Sequence, residues 1–232
     1  MFPQTGNTML TGRQIRAARS LTGMNQTELA ALAGMTPQGI LKIEDGSVQP
    51  REGTLADIQR VFAERRIEFT DNEGVRFRPE GVEVLNGEKG LEKFSDNVFA
   101  FAQLTGGIIR QVGIEENAFE KYAHEVAEMH RKRMFELVKT KNNIQVKAIL
   151  QNGDYDFISS DYAEYRWYPP KIPAAVPYYI FGDTVCIFTF DTDSPPKIVL
   201  ITSPAISLAY CKQFDDTWSI AKAPPPDPKK KK

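Results

Sequence analysis

The sequence predicts an all-α N-terminal domain followed by an α+β C-terminal domain. Three observations carry this reading. From Thr11 to Phe69 apolar residues recur at helical spacing in short blocks separated by Gly, Asn, Thr and Pro. After Asp71 the segments GVRFRPE and GVEVLNGEKG alternate apolar and polar residues between glycines. Beyond residue 90, helical and strand-like runs are interspersed. A chain of 232 residues, 41% hydrophobic and 25% charged, is long enough for two modest domains. The expected boundaries are a first domain over 10–70, a connector over 71–89, a second domain over 90–222 and a disordered tail over 223–232.

The first block holds four or five short helices and no strand pattern. Asn25 is a good N-cap for the helix NQTELAALA, and Glu28 three residues on completes a capping box. Gly34 supplies the left-handed residue that ends this helix in a tight turn. Thr36 caps the next helix, with Pro37 at its first position, where a missing N–H costs nothing. Ile40 and Ile43 point back toward Leu29 and Ala33, and Gly46 ends the second helix. Ala30 and Ala33 are short enough to let two helices meet at a large angle across a three- or four-residue turn. The pattern is that of a helix-turn-helix, so the first domain is an all-α helix-turn-helix domain.

The connector reads as a short strand pair. Beyond it, 91–104 is a helix, 106–114 a strand, and 115–139 a long amphipathic helix with Phe119, Tyr122, Val126 and Met129 along one stripe. Residues 143–150 form a strand that ends in QNGD. YAEYRWYP, VPYYIFGDTVCIFTFD and PKIVLITS read as further strands, with Gly182-Asp183 as a hairpin turn. Ser203 is placed to cap a final helix, Pro204 takes its first position, and Cys211, Phe214 and Trp218 have spacing for burial. The ending APPPDPKKKK cannot bury apolar surface and is expected to be disordered.

The net charge of −1 gives no global basic field, and residues 1–70 hold eight Lys/Arg against seven Asp/Glu. The start MFPQTGNTML lacks the pattern of a signal peptide, and no apolar run is long enough to span a bilayer. A cytoplasmic protein without membrane partners is expected. Cys186 and Cys211 lack ligand spacing and read as reduced thiols, mostly buried.

Gln26, Leu29, Ala30, Ala33, Gly34, Ile40 and Ile43, followed by Glu44-x-Gly46, resemble the pattern of the Xre/Cro-repressor family of DNA-binding domains, from about Gly12 to Phe69. The resemblance implies a sequence-specific transcriptional regulator that binds double-stranded DNA. Asn25 and Gln26 would contact phosphates, and Thr36, Pro37, Gln38 and Lys42 would face the groove. Gln38 suits adenine, Lys42 guanine or a phosphate, and Thr36 a thymine methyl or a phosphate. Arg13, Arg16 and Arg51 are candidate phosphate ligands by position, with solvated arginine as the equal alternative. Arg19 and Glu44 occupy the positions of a structural ion pair. Pro37 departs from the polar residue common at its position and Gly39 adds no contact, so readout is thin. A homodimer on two half-sites would recover affinity. The rival reading is an antitoxin-type module whose helix-turn-helix grips a partner protein.

YRWYPP…VPYYIFGDTVCIFTFD…PKIVLITSPAISLAYCKQFDDTW, within about 90–222, resembles the sensor domains of TrmB-like regulators, themselves related to one half of a phospholipase-D fold. That implies a dimerisation or sensor role and a small-molecule effector as a partner. Of the phospholipase-D motif HxKxxxxD, His130-Arg131-Lys132 supplies the first part, but Leu137 stands in place of the Asp and the motif falls on a helix. Glu120, His124 and Glu128 have the i, i+4, i+8 spacing of a metal site, yet a solvated polar face explains them and is favoured. There is no Ser/His/Asp order, no GxGxxG and no P-loop. The expectation is therefore no catalytic residues, no metal, no cofactor and no enzyme activity. Tyr162, Tyr165, Trp167, Tyr168, Tyr178, Tyr179 and Phe181 with Arg166 suit a ligand pocket, a subunit interface or ordinary core packing.

Overall fold

A computed structural model describes residues 10–114, 116–169, 176–191 and 194–225. From residue 226 on, the Pro- and Lys-rich tail lies outside the described residues. The chain divides into two units, Met1–Pro79 and Glu80–Lys232.

In the first unit the helical blocks become α1 (Gly12–Leu21), α2 (Gln26–Leu32), α3 (Pro37–Glu44) and α4 (Glu52–Ala63). Their apolar stripes converge on one core in which Ile15, Ala18, Leu29, Ile40, Ile58, Val61 and Phe62 are fully buried. Each large side chain among them contributes about 1.5–3 kcal/mol through removal from water. Thr11 and Gln14 cap α1 reciprocally, each side chain bonding the other's backbone N–H.

The absence of strands expected before Phe69 is corrected. β1 (Ile67–Thr70) and β2 (Gly74–Phe77) form an antiparallel hairpin, with Ile67 opposite Phe77 and Thr70 opposite Gly74. Ile67-Glu68-Phe69-Thr70 alternates apolar and polar, but over only four residues directly after a helical block, where two apolar residues two apart also fit a helix; the turn is set by Asn72 and Glu73 at φ 58 and 59. The hairpin is tied to α1 by Gln14, whose buried amide Nε2 donates to the carbonyls of Thr70 and Gly74 at 3.4 and 3.2 Å. GVRF and GVEVLN are both strands, but they do not pair with each other as the connector reading expects: the first joins this hairpin and the second joins the sheet of the other unit.

The second unit is α+β. Its strands are β3 (Gly81–Asn86), β4 (Gly107–Val112), β5 (Ile144–Leu150), β6 (Ala163–Trp167), β7 (Tyr178–Phe181), β8 (Thr184–Asp191) and β9 (Ser194–Thr202). They form one mixed sheet in the order β3-β9-β8-β7-β4-β5-β6. β4, β5 and β6 run parallel, while the β7–β8 and β8–β9 pairs and β3 are antiparallel. Phe181 opposite Thr184 closes the hairpin at Gly182-Asp183, as the turn residues predict. The helices are α5 (Gly87–Leu104), α6 (Glu116–Thr140) and α7 (Pro204–Ile220).

Alternation along β7 separates two faces. Tyr178 and Ile180 pack with Phe214 and Trp218 of α7, whereas Tyr179 and Phe181 meet Phe94 of α5. After α7 the backbone returns to β6, where Trp167 and Lys222 form a bridge that covers part of the sheet edge.

Three local expectations change. α5 starts at Gly87 rather than at 91, and its Gly90 lies so close to β3 that a Cβ would sit 2.9 Å from the Leu85 carbonyl carbon. Ser203 is the N-cap of α7 by position, but its side chain makes no capping bond. The stripe along α6 is interrupted: Ala123 is non-helical at φ −156 and ψ 61, and Met129 is 55% exposed while Ala123 and Met134 are buried. A change of helix direction at Ala123 resets which residues share a face. Among the described residues, no helix is long and apolar enough to cross a membrane.

Candidate nucleic-acid interface

The turn between α2 and α3 is built from local signals. Asn25 accepts from the Glu28 N–H at 2.9 Å and Glu28 reciprocates on the Asn25 N–H at 2.9 Å. Ala33 ends α2, Gly34 takes φ 64, and the Met35 N–H donates to the Ala30 carbonyl at 2.8 Å. This is the six-to-one bond of a Schellman motif, which satisfies a carbonyl the helix leaves open. Thr36 then caps α3, its hydroxyl accepting from Gly39 N–H at 3.1 Å, and Pro37 starts the helix.

Burial divides α3 into two faces. Ile40, Ile43 and Glu44 are buried, while Gln38 and Lys42 are exposed together with Thr36 and Pro37. Leu41, 37% exposed, lies on the same outward stripe, three residues from Gln38 and next to Lys42. Local pattern does not single out Leu41, because an isolated Leu in a helix is ordinarily assigned to the core.

Glu44 anchors the buried face. Its side chain has no exposed surface and its carboxylate receives Arg19 Nε at 2.8 Å, Arg19 Nη2 at 3.2 Å and Gln26 Nε2 at 2.8 Å. Arg19 also donates to the Met24 carbonyl at 2.9 Å. One fork thus ties the end of α1 to the end of α3, and Gln26 adds the start of α2. Burial alone would raise the pKa of Glu44, but the hydrogen bonds from Arg19 and Gln26 and the charges of Arg19 and Arg16 outweigh it and hold it below the ordinary carboxylate value of 4.5. The same bond raises the pKa of Arg19.

The remaining candidates are placed as follows. Gln26 spends one amide hydrogen on Glu44, leaving the second for another acceptor. Asn25 is exposed beside it. Arg16 donates to the Glu44 carbonyl at 3.3 Å and keeps 56% of its side chain exposed. Arg13 is 86% exposed, with Glu73 at 3.8 Å. Arg51 is exposed at the start of α4 and makes no capping bond with its side chain. Gly12 explains how closely α1 approaches: a Cβ there would lie 2.2 Å from the Ile43 carbonyl oxygen. Neither Gly12 nor the hairpin contact of Gln14 could be singled out by local pattern, because Ile43, Thr70 and Gly74 lie dozens of residues away; the capping box of Gln14 with Thr11 is the local part of its role.

In the second unit His124 lies between the two carboxylates of the predicted trio, its Nε2 3.9 Å from Glu128. Glu120 Oε2 meets His124 Nδ1 at 2.6 Å, Glu128 bonds Lys132 at 2.7 Å, and Glu120 also pairs with Arg131. Both carboxylates thus face cations, and no group of three metal-ligating side chains occurs among the described residues. Lys132 is 74% exposed, whereas His130 Nδ1 is sealed from solvent. The aromatic residues do not form one cluster. Tyr165 and Trp167 pack with Tyr155 and Phe157, Tyr168 and Tyr178 pack with the α7 core, and Arg166 stacks on the Trp218 ring at 4.3 Å. Tyr162 and Tyr179 line a cavity. Cys186 is fully buried, which pushes its thiol pKa up, and Cys211 is partly buried.

Residues 11–64 match the profile of the helix-turn-helix domain family. Over 50 residues the chain is 44% identical to an uncharacterized HTH-type transcriptional regulator, y4dL, of Sinorhizobium fredii; the match covers 22% of this chain and only 26% of that relative. Two solved structures superpose with a TM-score of 0.41. The archaeal chromatin protein TrmBL2, described as showing a novel mode of DNA binding, is 12% identical, with 91% of this chain and 67% of that one covered. The phospholipase D family member Nuc of Salmonella typhimurium is 13% identical, with 63% and 99% covered. At that score neither superposition bears on the function of the second unit.

Proposed function

We propose that the protein is a DNA-binding transcriptional regulator of Xre-like type that acts as a homodimer, with the first unit as the reader and the second serving dimerisation and ligand response. The observation that carries the reading is the two-faced α3, locked from behind by the buried Glu44 fork and exposed in front at Thr36, Pro37, Gln38, Leu41 and Lys42. In this reading Gln38 and Lys42 address base edges, Leu41 packs on a thymine methyl, and Asn25, Gln26, Arg13, Arg16 and Arg51 hold phosphates. Contacts of this kind make binding steeply salt-dependent. Two copies on half-sites about one helical turn apart supply the affinity that one thin reading head lacks.

The test is a mobility shift of fragments from the gene's own promoter region at two salt concentrations. The reading expects a shift at low salt that weakens at least about tenfold on raising the salt, and loss of sequence preference in a Gln38→Ala, Lys42→Ala double variant. No shift on any fragment, or a shift indifferent to both substitutions, sinks it.

A further inference from the structure

On the α7 face of the sheet, strand register carries two rows of apolar side chains out to the edge. Ile180, Val185, Ile201 and Val82 stand opposite one another in turn from β7 to β3, and Tyr178, Ile187, Val199 and Val84 form the next row. Cover runs out along both rows. Tyr178, Ile180 and Val185 are buried, Ile187, Val199 and Ile201 are half-buried, and Val82 and Val84 are 67% and 55% exposed. The opposite face of β3 is closed, with Leu85 buried beside Gly90 of α5. A helix is about 10 Å across and covers about two strands. α7 thus leaves β9 and β3 as an apolar strip with no helix on it.

A second apolar surface lies on α7 itself. Its first two turns, residues 204–211, contain no charged side chain, yet Ala205, Ile206, Leu208 and Ala209 are exposed there, Leu208 by 57%. A surface helix ordinarily carries its charge on the outer face. Ala205 and Ala209 lie one turn apart and are short enough for another layer to come close.

We propose that a second copy of this chain docks on the β9–β3 strip through the first two turns of its α7, reciprocally about a two-fold axis along the strands. The strip lacks a helix and the helix lacks a sheet on its outer side, so one rotation satisfies both. The two α7 helices then lie side by side in one layer between two sheets. Each six-residue strip is about 20 Å long and about 10 Å wide. Because the contact is made twice, four footprints give about 800 Å², and the touching helices carry this toward the about 1,200 Å² at which stable interfaces begin.

Charge fits the same alignment. With Leu208 over Val82 of the other copy, α7 advances about 12 Å to Asp216 while β3 advances about 14 Å to Asn86. Lys197, exposed opposite Asn86, then meets the exposed Asp216.

The proposal rests on the homodimer of the reading above and names its interface. The experiment is sedimentation velocity of the full chain, without DNA, across micromolar concentrations, and it should give twice the chain mass. Val82→Glu and Leu208→Lys, both at sites more than half exposed, should keep the parent's thermal stability yet weaken the dimer at least about tenfold. Mixing these two variants should restore a dimer, because one contact then pairs the introduced lysine with the introduced glutamate and the other is the parental contact. Val84→Glu and Ala209→Lys repeat the test if either variant unfolds. Met129→Lys, at an equally exposed apolar site on α6, should leave the dimer intact. A dimer that neither substitution weakens, folded variants that do not recover on mixing, or an equal loss in Met129→Lys overturns the interface and leaves the homodimer standing. A monomer overturns both, while DNA binding is decided separately by the mobility shift.

Discussion

At the residue scale, Glu44 has the most defined role. Its carboxylate is fully buried and triply hydrogen-bonded, so removing a partner leaves a charge stranded. Arg19→Met should therefore destabilise the first unit by about 3 kcal/mol in urea unfolding. Glu44→Gln keeps the shape but loses the charge-assisted bonds and should cost less. Because the folded pKa of Glu44 lies below 4.5, the unfolded chain binds the proton more readily. The stabilisation is complete above the unfolded value and disappears as pH falls through the folded one. A stability-versus-pH curve of Glu44→Gln should show a shallower acid limb than that of the parent. The charge on Arg19 can be read off the sequence as a matching position, whereas Gln26 as a third partner is visible only once α2 is placed.

Among elements, the glycines of the helix-turn-helix make separable predictions. Gly34 has φ 64, and no atom lies within 4 Å of the position a Cβ would take there. Gly34→Ala should thus cost only the backbone conformation, about 1 kcal/mol. Gly12 has the opposite problem: its φ is in the ordinary negative range, but a Cβ would strike the Ile43 carbonyl oxygen at 2.2 Å. Gly12→Ala must push α1 off α3 and should cost about 3 kcal/mol, at the upper end for overpacking. Thermal unfolding of the two variants side by side distinguishes a turn requirement from a contact requirement. The turn glycine is legible in the sequence because its reason is local. The contact glycine is not, since its partner Ile43 lies two helices further along the chain.

At the scale of the whole molecule, the second unit carries an acid weakness of its own. Burial, assisted by the charge of Arg133, lowers the His130 pKa from 6.5 to about 3. Between those values the unfolded chain binds more protons than the folded one, so stability falls as pH drops from 6.5 toward 3. His130→Leu should flatten that slope, as followed by unfolding midpoints across pH. The two thiols give a second whole-molecule readout. Cys186 is fully buried and its thiol is held protonated, while Cys211 is partly exposed on α7. A thiol reagent should modify Cys211 in the native protein and reach Cys186 only on unfolding, as intact mass after timed labelling will tell.

Features whose causes lie within a few residues are written in the chain itself: the caps at Asn25 and Thr36, the turn at Gly34, the hairpin at Gly182-Asp183, and the helix and strand periods that divide the protein into an N-terminal helical part and an α+β part. These are properties of backbone dihedrals and nearest hydrogen bonds, which a short string of residues specifies. Folding in three dimensions alone settles which strand GVRF pairs with, where Gln14 and Gln26 spend their amides, that Leu41 faces outward, and that α6 bends over a cavity at Ala123. Each of these depends on surfaces brought together from distant parts of the chain, and packing rather than local preference selects among the arrangements that the pattern allows.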